Sequence, residues 1–327
     1  MALLMLGNIG DLLLIEPCLR YLHSCGVTID LFCTAETAMV WEGDKRIRAI
    51  FPVRASNAKY EAEQRSTRIG FLRRSYDWLF DFRPTGRSLK ISMRLLARKR
   101  ITWSASGAKG LLYKVLHSMT MPFPHGIRRD RICLKLLGIE GTAADQWLPA
   151  RMDVSPERVH AFEEQHKLRK GAGQQRLLIQ PTARWKRKLW PASSWRELIE
   201  RLRKFRPSEI CLVSGPVQEE IDLVQQIAEG LVPRDHLFAG NLAWNELQSL
   251  IASSDLFVGL DSAPYHMAAM LDRPLVVLFG PTNEQEWGPV LPHQILVKAP
   301  STGEIPAMNN IKVADVEAAV KSLFVKL

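Results

Sequence analysis

The sequence lacks the features of membrane-spanning, secreted and disordered proteins. Its longest apolar runs, such as Met1 to Leu6 and Leu12 to Ile15, fall far short of the roughly 20 residues that span a bilayer. The N-terminus carries no basic segment and no small-residue cleavage site, because Gly7 and Asp11 interrupt its apolar stretch. The 327 residues are 46% hydrophobic and 24% charged, which is a globular composition. We therefore expect a cytoplasmic protein with two domains, each of roughly 100–200 residues.

Cysteine is scarce and follows neither a disulfide nor a zinc-binding pattern. The five cysteines are odd in number and form no C-x-x-C pair. The sequence therefore predicts no metal site and a set of reduced, buried thiols, which are Cys18, Cys25, Cys33, Cys133 and Cys211.

Positive charge is concentrated in the first half of the chain. Residues 1–163 carry 25 Lys and Arg against 16 Asp and Glu, a balance of +9, out of a total of +10. The first half is therefore expected to meet an anionic partner: nucleic acid, a phosphorylated substrate or a membrane surface. Nucleic acid is the least favoured of these, because the sequence contains no nucleic-acid-binding module signature.

Short apolar runs alternate with segments of helical period along the whole chain. This pattern predicts an α/β protein with parallel sheets and crossover helices. Pro149, followed by Ser155 and Pro156 as a helix start, indicates a boundary between domains 1–154 and 155–327. The predicted strands are Leu3 to Leu6, Thr28 to Cys33, Ile47 to Phe51, Trp78 to Phe82, Leu177 to Gln180, Ile210 to Ser214, Leu256 to Gly259 and Leu275 to Phe279.

Helices are predicted between these strands. In the first half they lie near 11–24, 85–100, 108–119 and 128–138. In the second half, Ser194 and Glu197 form a capping box that would begin a helix, and a last helix covers Val313 to Phe324. Ligands of such doubly wound sheets bind in a crevice at the carboxyl ends of the strands, so site residues should lie in strand-to-helix loops.

The first such loop contains Gly7, Asn8, Gly10 and Asp11. The glycines permit a tight turn, and Asp11 stands at the start of a helix. Two interpretations remain open from spacing alone. Asp11 is either a helix cap or a carboxylate that projects into the cleft as a general base.

The second loop runs from Pro181 to Pro191 and carries the four cations Arg184, Lys186, Arg187 and Lys188. It is either a solvated loop or a site that neutralises a diphosphate, and its position after a buried strand favours the second interpretation. The G-x-x-x-x-G-K-S/T spacing of a P-loop is absent.

Two further loops follow strands. In the loop from Ser214, Glu219 opens a helix and either binds ribose hydroxyls or only favours the helix dipole. In the loop from Gly259, Pro264 is predicted at the first helical position, where backbone N–H groups form an anion site. His266 on that helix is either a packed core residue or a member of the site.

A basic helical face is predicted in the first half. Arg83, Arg87, Lys90, Arg94 and Arg98 follow one another at spacings of four, three, four and four, so a helix over 85–100 would present them together. Leu89, Met93 and Leu96 define an apolar stripe beside them. This face is either solvated or a surface that associates with a membrane.

Taken together, these loops resemble the ADP-heptose:lipopolysaccharide heptosyltransferases, inverting glycosyltransferases of family 9 with the two-domain GT-B fold. The resemblance covers nearly the whole chain and is strongest in G-L-D-S-A-P-Y-H-M-A-A-M from Gly259 to Met270 and L-F-G-P-T from Leu278 to Thr282. The runs P-T-A-R-W-K-R-K-L-W from Pro181 and S-G-P from Ser214 are most similar to the heptosyltransferase III branch.

The resemblance implies an architecture and roles for matching residues. Two Rossmann-like domains would face a central cleft, with the acceptor bound by 1–154 and the nucleotide sugar by 155–327, and the C-terminal helix would be able to pack back on the first domain. Asp11, in G-D-L-L, would be the general base. The donor would be bound by Thr182, Arg184, Lys188, Gly215, Glu219, Asp261, Ser262, Ala263 and His266, and the acceptor by Asn8, Arg87, Lys90 and Arg94.

The implied reaction is the metal-independent, inverting transfer of heptose from ADP-L-glycero-D-manno-heptose to the phosphorylated inner core of lipopolysaccharide. No cofactor is expected, and the D-x-D motif of metal-dependent transferases is absent. The expected location is the cytoplasm of a Gram-negative bacterium, peripherally on the inner leaflet, where anionic lipid attracts polybasic surfaces. Two alternatives stay open: a family 9 transferase that uses another donor or acceptor, protein or polysaccharide, and a nucleotide-binding module without catalysis.

Overall fold

The computed structural model describes residues 1–53, 74–103, 119–121, 127–171, 173–206, 208–301 and 306–324, of which 119–121 are described by backbone alone. The chain divides into two compact units, Met1–Ala150 and Arg151–Leu327. The division falls near the boundary that the sequence predicts, and it follows Pro149, whose peptide bond with Leu148 is cis.

In its described part, the first unit is built on a six-stranded parallel sheet of order β3-β2-β1-β4-β5-β6. The two central strands, β1 and β4, pair in register from Ala2 with Leu79. The chain therefore fills one half of the sheet and then the other, so the sheet is doubly wound about β1 and β4. The strands are β1 Ala2–Met5, β2 Ile29–Thr34, β3 Ile47–Val53, β4 Ser75–Asp81, β5 Leu96–Trp103 and β6 Met119–Met121.

The helices of the first unit lie between these strands. The helix predicted over 11–24 is divided in two, because the chain turns at Leu14 and Ile15 and restarts at Glu16 with Pro17 in the first turn. The helices are α1 Ile9–Leu13, α2 Glu16–Ser24, α3 Gly86–Arg94, α4 Arg129–Leu136 and α5 Thr142–Asp145, with a 3₁₀ helix over Ala35–Trp41.

The prediction of one helix over 85–100 is wrong. Helix α3 ends at Arg94, Leu95 adopts an extended backbone with φ −83° and ψ 135°, and β5 begins at Leu96. Ile101 and Trp103 are buried in the sheet, and this burial outweighs the helical spacing of the basic residues. Of the predicted helix over 108–119, residues 108–118 lie outside the described residues, and Met119 begins β6.

As described, the second unit repeats the plan with a parallel sheet of order β12-β11-β10-β7-β8-β9. Strands β7, β8, β10 and β11 are buried along their whole length, as expected for a sheet that is covered on both faces. The strands are β7 Gln175–Gln180, β8 Ser208–Ser214, β9 His236–Ala239, β10 Leu256–Leu260, β11 Leu275–Phe279 and β12 Gln294–Lys298.

Helices cover this second sheet. Helix α7 buries Trp195, Leu198 and Leu202, and α12 packs on α7 and on β11 and β12. The helices are α6 Pro156–Gln165, α7 Ala192–Phe205, α8 Gln218–Ala228, α9 Trp244–Ser253, α10 Ala263–Met270, α11 Glu284–Trp287 and α12 Val313–Phe324, with 3₁₀ turns at Lys186–Lys188 and Met308–Asn310.

Three local predictions need correction. Helix α7 begins two residues before Ser194, because Pro191 rather than Ser194 is its N-cap. Pro264 occupies the second position of α10, after Ala263. Cys25 is exposed at the end of α2, whereas the other four cysteines are buried as predicted. By contrast, Ser155 caps α6 as predicted, and its hydroxyl accepts the N–H of Arg158.

A buried carboxylate on β2, that of Asp30, links this strand to neighbouring parts of the first sheet by hydrogen bonds. Asp30 is fully buried and accepts hydrogen bonds from Arg48, Arg74 and Tyr76 at 2.7, 2.8 and 2.9 Å. Burial opposes the charge of Asp30, but these hydrogen bonds outweigh it and lower the pKa of its carboxyl below the usual value. Asp30 therefore stabilises the folded state in its ionised form.

We expect Asp30→Asn to lower the free energy of unfolding of the first unit at neutral pH by about 1.5–3 kcal/mol, the cost of hydrogen bonds to a charged group. A lowered pKa gives stability that is lost as the pH falls through the folded-state value. The difference between wild type and variant, measured by urea unfolding, should therefore shrink in acid. The control is Asp77→Asn, whose side chain is 79% exposed. An unchanged difference in acid would contradict the assignment.

Candidate active site

Each sheet has one point at which the winding direction reverses. In the first unit it lies between β1 and β4, and in the second between β7 and β10. Loops that leave these neighbouring strands diverge and open a crevice, the usual ligand site of a doubly wound sheet. In both units, the loops at this point are joined by an ion pair between a carboxylate and a cation.

Asp11 and Arg83 form the ion pair of the first unit. Asp11 is the third residue of α1, and its Oδ2 accepts the backbone N–H of Asn8 at 3.0 Å. The same oxygen accepts Nη1 of Arg83 at 2.5 Å, from the loop after β4. Asp11 thus helps to cap α1 from its third helical position, with Asn8 as the N-cap residue, and its carboxylate also contacts a cation that the sequence did not reveal.

Gly7 makes this arrangement possible. A Cβ atom at position 7 would lie 2.8 Å from both Cβ and Oδ2 of Asp11, closer than real Cβ contacts come. Any side chain there would therefore displace the carboxylate, so the glycine of the turn serves the close approach of Asp11.

A small, shallow cleft opens beside Asp11. Its walls are largely apolar and aromatic, and two arginines add positive charge. This lining places the carboxylate of Asp11 among apolar side chains and two cations. The residues around it are Met5, Asp11, Leu14, Phe82, Arg83, Trp103, Arg129, Ile132 and Cys133.

Lys188 and Asp261 form the ion pair of the second unit. The Nζ of Lys188 donates to Oδ2 of Asp261 at 2.6 Å and to its carbonyl oxygen at 3.0 Å. Both side chains are largely buried, with 15% and 5% exposed. The ammonium also lies 5.2 Å from the ring centre of Trp185, which is itself 59% exposed.

The side chain of Gln180, at the end of β7, links the two loops of the second unit. Its amide nitrogen donates to Oγ1 of Thr182 at 2.8 Å, and its amide oxygen accepts the hydroxyl of Ser262 at 2.8 Å. Thr182 is fully buried, and its hydroxyl donates to Oε2 of Glu220 at 2.7 Å. Thr182, Lys188, Asp261 and Ser262 are therefore brought together as the sequence predicts.

The two adjacent acidic residues of helix α8 have different surroundings in the structure. Glu219 is 70% exposed and pairs with the exposed Lys186 at 3.1 Å. Glu220 turns inward, where the same Oε2 that binds Thr182 accepts the N–H of Gly215 at 3.1 Å. Glu219 is the acid that the sequence predicts in the site, and Glu220 is a further site residue that the sequence did not reveal. The phase of the helix, which decides between the two, was not specified by the S-G-P motif.

Helix α10 points its N-terminus toward the same loops. Ser262 is its N-cap with an extended backbone, and Ala263 is the first helical residue, so the first-turn N–H groups have no partner within the helix. His266 is buried, with Nε2 4.0 Å from Oδ1 of Asp261, and its ring packs against Tyr265 and Trp287. It lies beside Asp261 while also being a packed residue, so both sequence interpretations describe it.

The remaining predicted residues lie at the surface of their own units. Arg184 is exposed on the loop after β7, and Asn8 is exposed on the turn before α1. Arg87, Lys90 and Arg94 are exposed together on α3, beside Met93 and Leu96, whose side chains are 57% and 62% exposed.

The prediction that five cations share one helical face is wrong for two of them. Arg83 precedes α3 and pairs with Asp11, and Arg98 lies on β5, where it pairs with Asp77 at 3.7 Å.

Among the residues that the structure describes, no helix is long and apolar enough to cross a bilayer. The same described residues contain no group of three or more His, Cys, Asp or Glu with the arrangement of a metal site.

Solved structures of similar architecture identify the fold. A family 9 glycosyltransferase from Veillonella parvula superposes with a TM-score of 0.82 at 17% identity, covering 100% of this chain and 97% of that one. The ADP-heptose lipopolysaccharide heptosyltransferase II of Escherichia coli superposes with a TM-score of 0.80 at 20% identity, covering 100% and 99%. At these identities the likeness establishes the fold, so the predicted α/β, GT-B class is confirmed.

Sequence relatives identify the family. Lipopolysaccharide heptosyltransferase 3 of Escherichia coli is 37% identical over 164 residues, which are 47% of this chain and 48% of that protein. The match thus spans about half the length of this curated relative. A family model described as glycosyltransferase family 9 (heptosyltransferase) matches residues 68–315, and because this match covers most of the chain, the chain belongs to glycosyltransferase family 9.

Proposed function

We propose that this chain transfers heptose from ADP-heptose to a sugar of the lipopolysaccharide inner core, with inversion at the transferred carbon. The observation that carries the proposal is the carboxylate of Asp11 at the reversal point of the first sheet, in the lining of a small cleft and paired with Arg83. The family of the chain and the name of its Escherichia coli relative support heptose and lipopolysaccharide as substrates.

The proposed step needs one base and a stabilised leaving group. The acceptor hydroxyl loses its proton to Asp11 while its oxygen forms a bond to the anomeric carbon of heptose. The bond from that carbon to the diphosphate oxygen breaks, and ADP departs with the electron pair. Attack opposite to the leaving group inverts the configuration, so a second catalytic carboxylate is not required.

The second unit supplies groups that suit the diphosphate. Among the described residues, Lys188 donates two of its three N–H groups to Asp261, which leaves its charge fixed and one N–H for a phosphate oxygen. The first turn of α10 adds backbone N–H groups at Ala263. We assign the diphosphate to these groups and the heptose to Asp261, Ser262 and His266.

Neighbouring groups complete the proposed donor site. Glu219, exposed at the start of α8, accepts hydrogen bonds from the ribose hydroxyls. Glu220 instead orders the site by holding Thr182 and the N–H of Gly215. Arg184 adds positive charge from the same exposed loop as Trp185.

The first unit supplies the proposed acceptor and membrane contacts. Asn8 lies next to Asp11, and α3 presents exposed cations around Met93 and Leu96. A surface that combines exposed apolar and cationic side chains fits an anionic bilayer, where apolar groups enter the interface and cations meet headgroups. We therefore place the protein peripherally on the cytoplasmic face of the inner membrane.

Charge reversal on α3 tests this membrane contact. We expect Arg87→Glu, Lys90→Glu and Arg94→Glu together to reduce binding to vesicles with anionic lipid, since each cation contributes about 1 kcal/mol at the surface. The KM for lipid-linked acceptor should rise, donor affinity should not change, and salt should mask the difference.

The matched control reverses three exposed cations of the second unit, Arg169, Lys204 and Lys312, which changes the net charge equally. Vesicle binding is measured by co-sedimentation at low salt. Equal losses of vesicle binding in both triple variants would show that binding depends only on the net charge of the protein. Wild-type vesicle binding in the α3 variant would show that α3 does not contact the membrane.

Metal removal tests the proposed role of the cations. We expect turnover to be unchanged in EDTA, because Lys188 and the α10 N-terminus are placed to neutralise the departing diphosphate. ADP release is measured after dialysis against the chelator. Activity that is lost in EDTA and restored by magnesium or manganese would overturn metal independence.

The function itself is tested by incubating the purified protein with ADP-heptose and with lipopolysaccharide truncated in its inner core. The proposal expects stoichiometric ADP release and a lipopolysaccharide heavier by one heptose residue. ADP binding without turnover would favour a non-catalytic module. ADP release only with a protein or another polysaccharide would favour a different acceptor.

A further inference from the structure

The carboxylate of the proposed base, Asp11, is hydrogen-bonded to an arginine. Oδ2 of Asp11 lies 2.5 Å from Nη1 of Arg83 and also accepts the N–H of Asn8. An acceptor hydroxyl that donates its proton to this oxygen must compete with a charge-assisted hydrogen bond, which is stronger than a neutral one. Arg83 therefore controls access to Oδ2 of the base.

The backbone of Arg83 is fixed, whereas its side chain has room to move. The N–H of Arg83 donates to Oδ1 of the fully buried Asp81 at 3.1 Å, and Pro84 follows in the chain. The Arg83 side chain is 45% exposed, against 13% for Asp11. The guanidinium can therefore leave Asp11 by side-chain rotation alone, without moving β4.

The cleft offers a second partner for this guanidinium. Arg83 and Arg129 both line it, together with apolar and aromatic side chains. A phosphate or carboxylate group that approaches Asp11 from this cleft would meet Arg83, and the planar fork of arginine binds such anions through paired hydrogen bonds.

We propose that Arg83 is a positioning residue that holds Asp11 in the free protein and moves to an anionic substituent of the acceptor when the acceptor binds. The exchange releases Oδ2 of Asp11 for the acceptor hydroxyl. A neutral acceptor leaves the ion pair closed, so Arg83 makes the reaction selective for anionic acceptors. This inference rests on the proposed function for Asp11.

A binding experiment tests the exchange without any transfer reaction. The probe is mannose 6-phosphate, with methyl mannoside as the neutral reference, and binding is followed by calorimetry or ³¹P line broadening. Asp11→Asn removes the carboxylate that competes for Arg83, so it should tighten phosphate binding severalfold. Arg83→Gln should weaken it about tenfold or more, the loss expected for a hydrogen bond to a charged group.

The control for binding is Arg98→Gln, an exposed arginine of the same unit that pairs with Asp77. It should leave phosphate binding unchanged. Phosphate binding that is equal in wild type and Asp11→Asn, or that survives Arg83→Gln, would overturn the exchange. Because no turnover is measured, this result stands even if the substrate proposed for the reaction is wrong.

A kinetic experiment tests the selectivity. Three acceptors are compared: the inner core as isolated, the same core after removal of phosphate, and the core with its carboxylates reduced. Arg83→Gln should lower kcat/KM for the anionic acceptor about tenfold or more while sparing the acceptor that lacks the recognised group, and Arg83→Lys should restore part of the loss. The acceptor whose rate no longer depends on Arg83 identifies the recognised anion.

A purely structural role for Arg83 predicts a different result. Loss of support for Asp11 would lower kcat for all three acceptors by the same factor, without restoration by lysine. That outcome would overturn the positioning role in selectivity, while absence of transfer in the wild-type protein would overturn the proposed function instead.

Discussion

Asp11→Asn should lower the rate of heptosyl transfer at least about a hundredfold, the usual contribution of a positioned general base. Asparagine keeps the shape of the side chain and can still accept the N–H of Asn8, but it cannot take the proton of the acceptor hydroxyl. Asp11 lies in the first unit, whereas the groups assigned to the nucleotide lie in the second. ADP affinity should therefore be unchanged.

The matched control is Asp77→Asn, since Asp77 belongs to the same sheet and is 79% exposed. Its turnover should equal that of wild type. Single-turnover transfer and ADP calorimetry are measured on all three proteins. Near wild-type turnover in Asp11→Asn would show that Asp11 is not the general base and serves only to cap the helix.

Lys188→Ala should weaken binding of ADP-heptose far more than Lys186→Ala. A lost charge-assisted contact with phosphate costs about 1.5–3 kcal/mol, or roughly ten- to a hundredfold in affinity. The loss at Lys188 is increased because Asp261, which is only 5% exposed, would keep a negative charge beside the diphosphate without its partner. Lys186 is 78% exposed and its partner Glu219 is solvated, so its removal leaves no such charge.

A second variant separates donor binding from support of the fold. Lys188→Ala combined with Asp261→Asn removes the buried charge and should recover thermal stability. It should not recover affinity for ADP, which lacks the heptose assigned to Asp261, because the cation that meets phosphate is still missing. Equal effects of Lys186→Ala and Lys188→Ala would instead indicate that the loop acts through diffuse charge. Full recovery of ADP affinity in the double variant would restrict Lys188 to a structural role.

The parts of the site that the sequence predicts are those that follow directly from topology. Buried apolar runs specify the parallel strands, and polar residues after them must lie at the carboxyl edge of the sheet. Lys188 and Asp261 are 73 positions apart, yet both follow central strands of one sheet, and they are hydrogen-bonded in the structure.

The partner of Asp11 could not be predicted in the same way. Arg83 has the spacing of the basic residues on α3, and this spacing placed it on a helix instead of in the loop before one. The end of α3 at Arg94 is decided by burial of Ile101 and Trp103 in the sheet, a tertiary effect that outweighs local periodicity.

The contacts of Glu220 with Thr182 and Gly215 could not be predicted for a related reason. Two adjacent acids point about 100° apart on a helix, so the exact start of the helix decides which one turns inward. Here the start at Gln218 exposes Glu219 and directs Glu220 to Thr182. A sequence motif predicts the position of the loop, but it does not determine the residue at which the following helix begins.

The most direct measurement is mass spectrometry of the lipopolysaccharide core from the source bacterium after deletion of the gene that encodes this chain. The account predicts a core that lacks one heptose, restored by the wild-type chain and not by its Asp11→Asn variant. A deletion strain whose core keeps every heptose would contradict the proposed function.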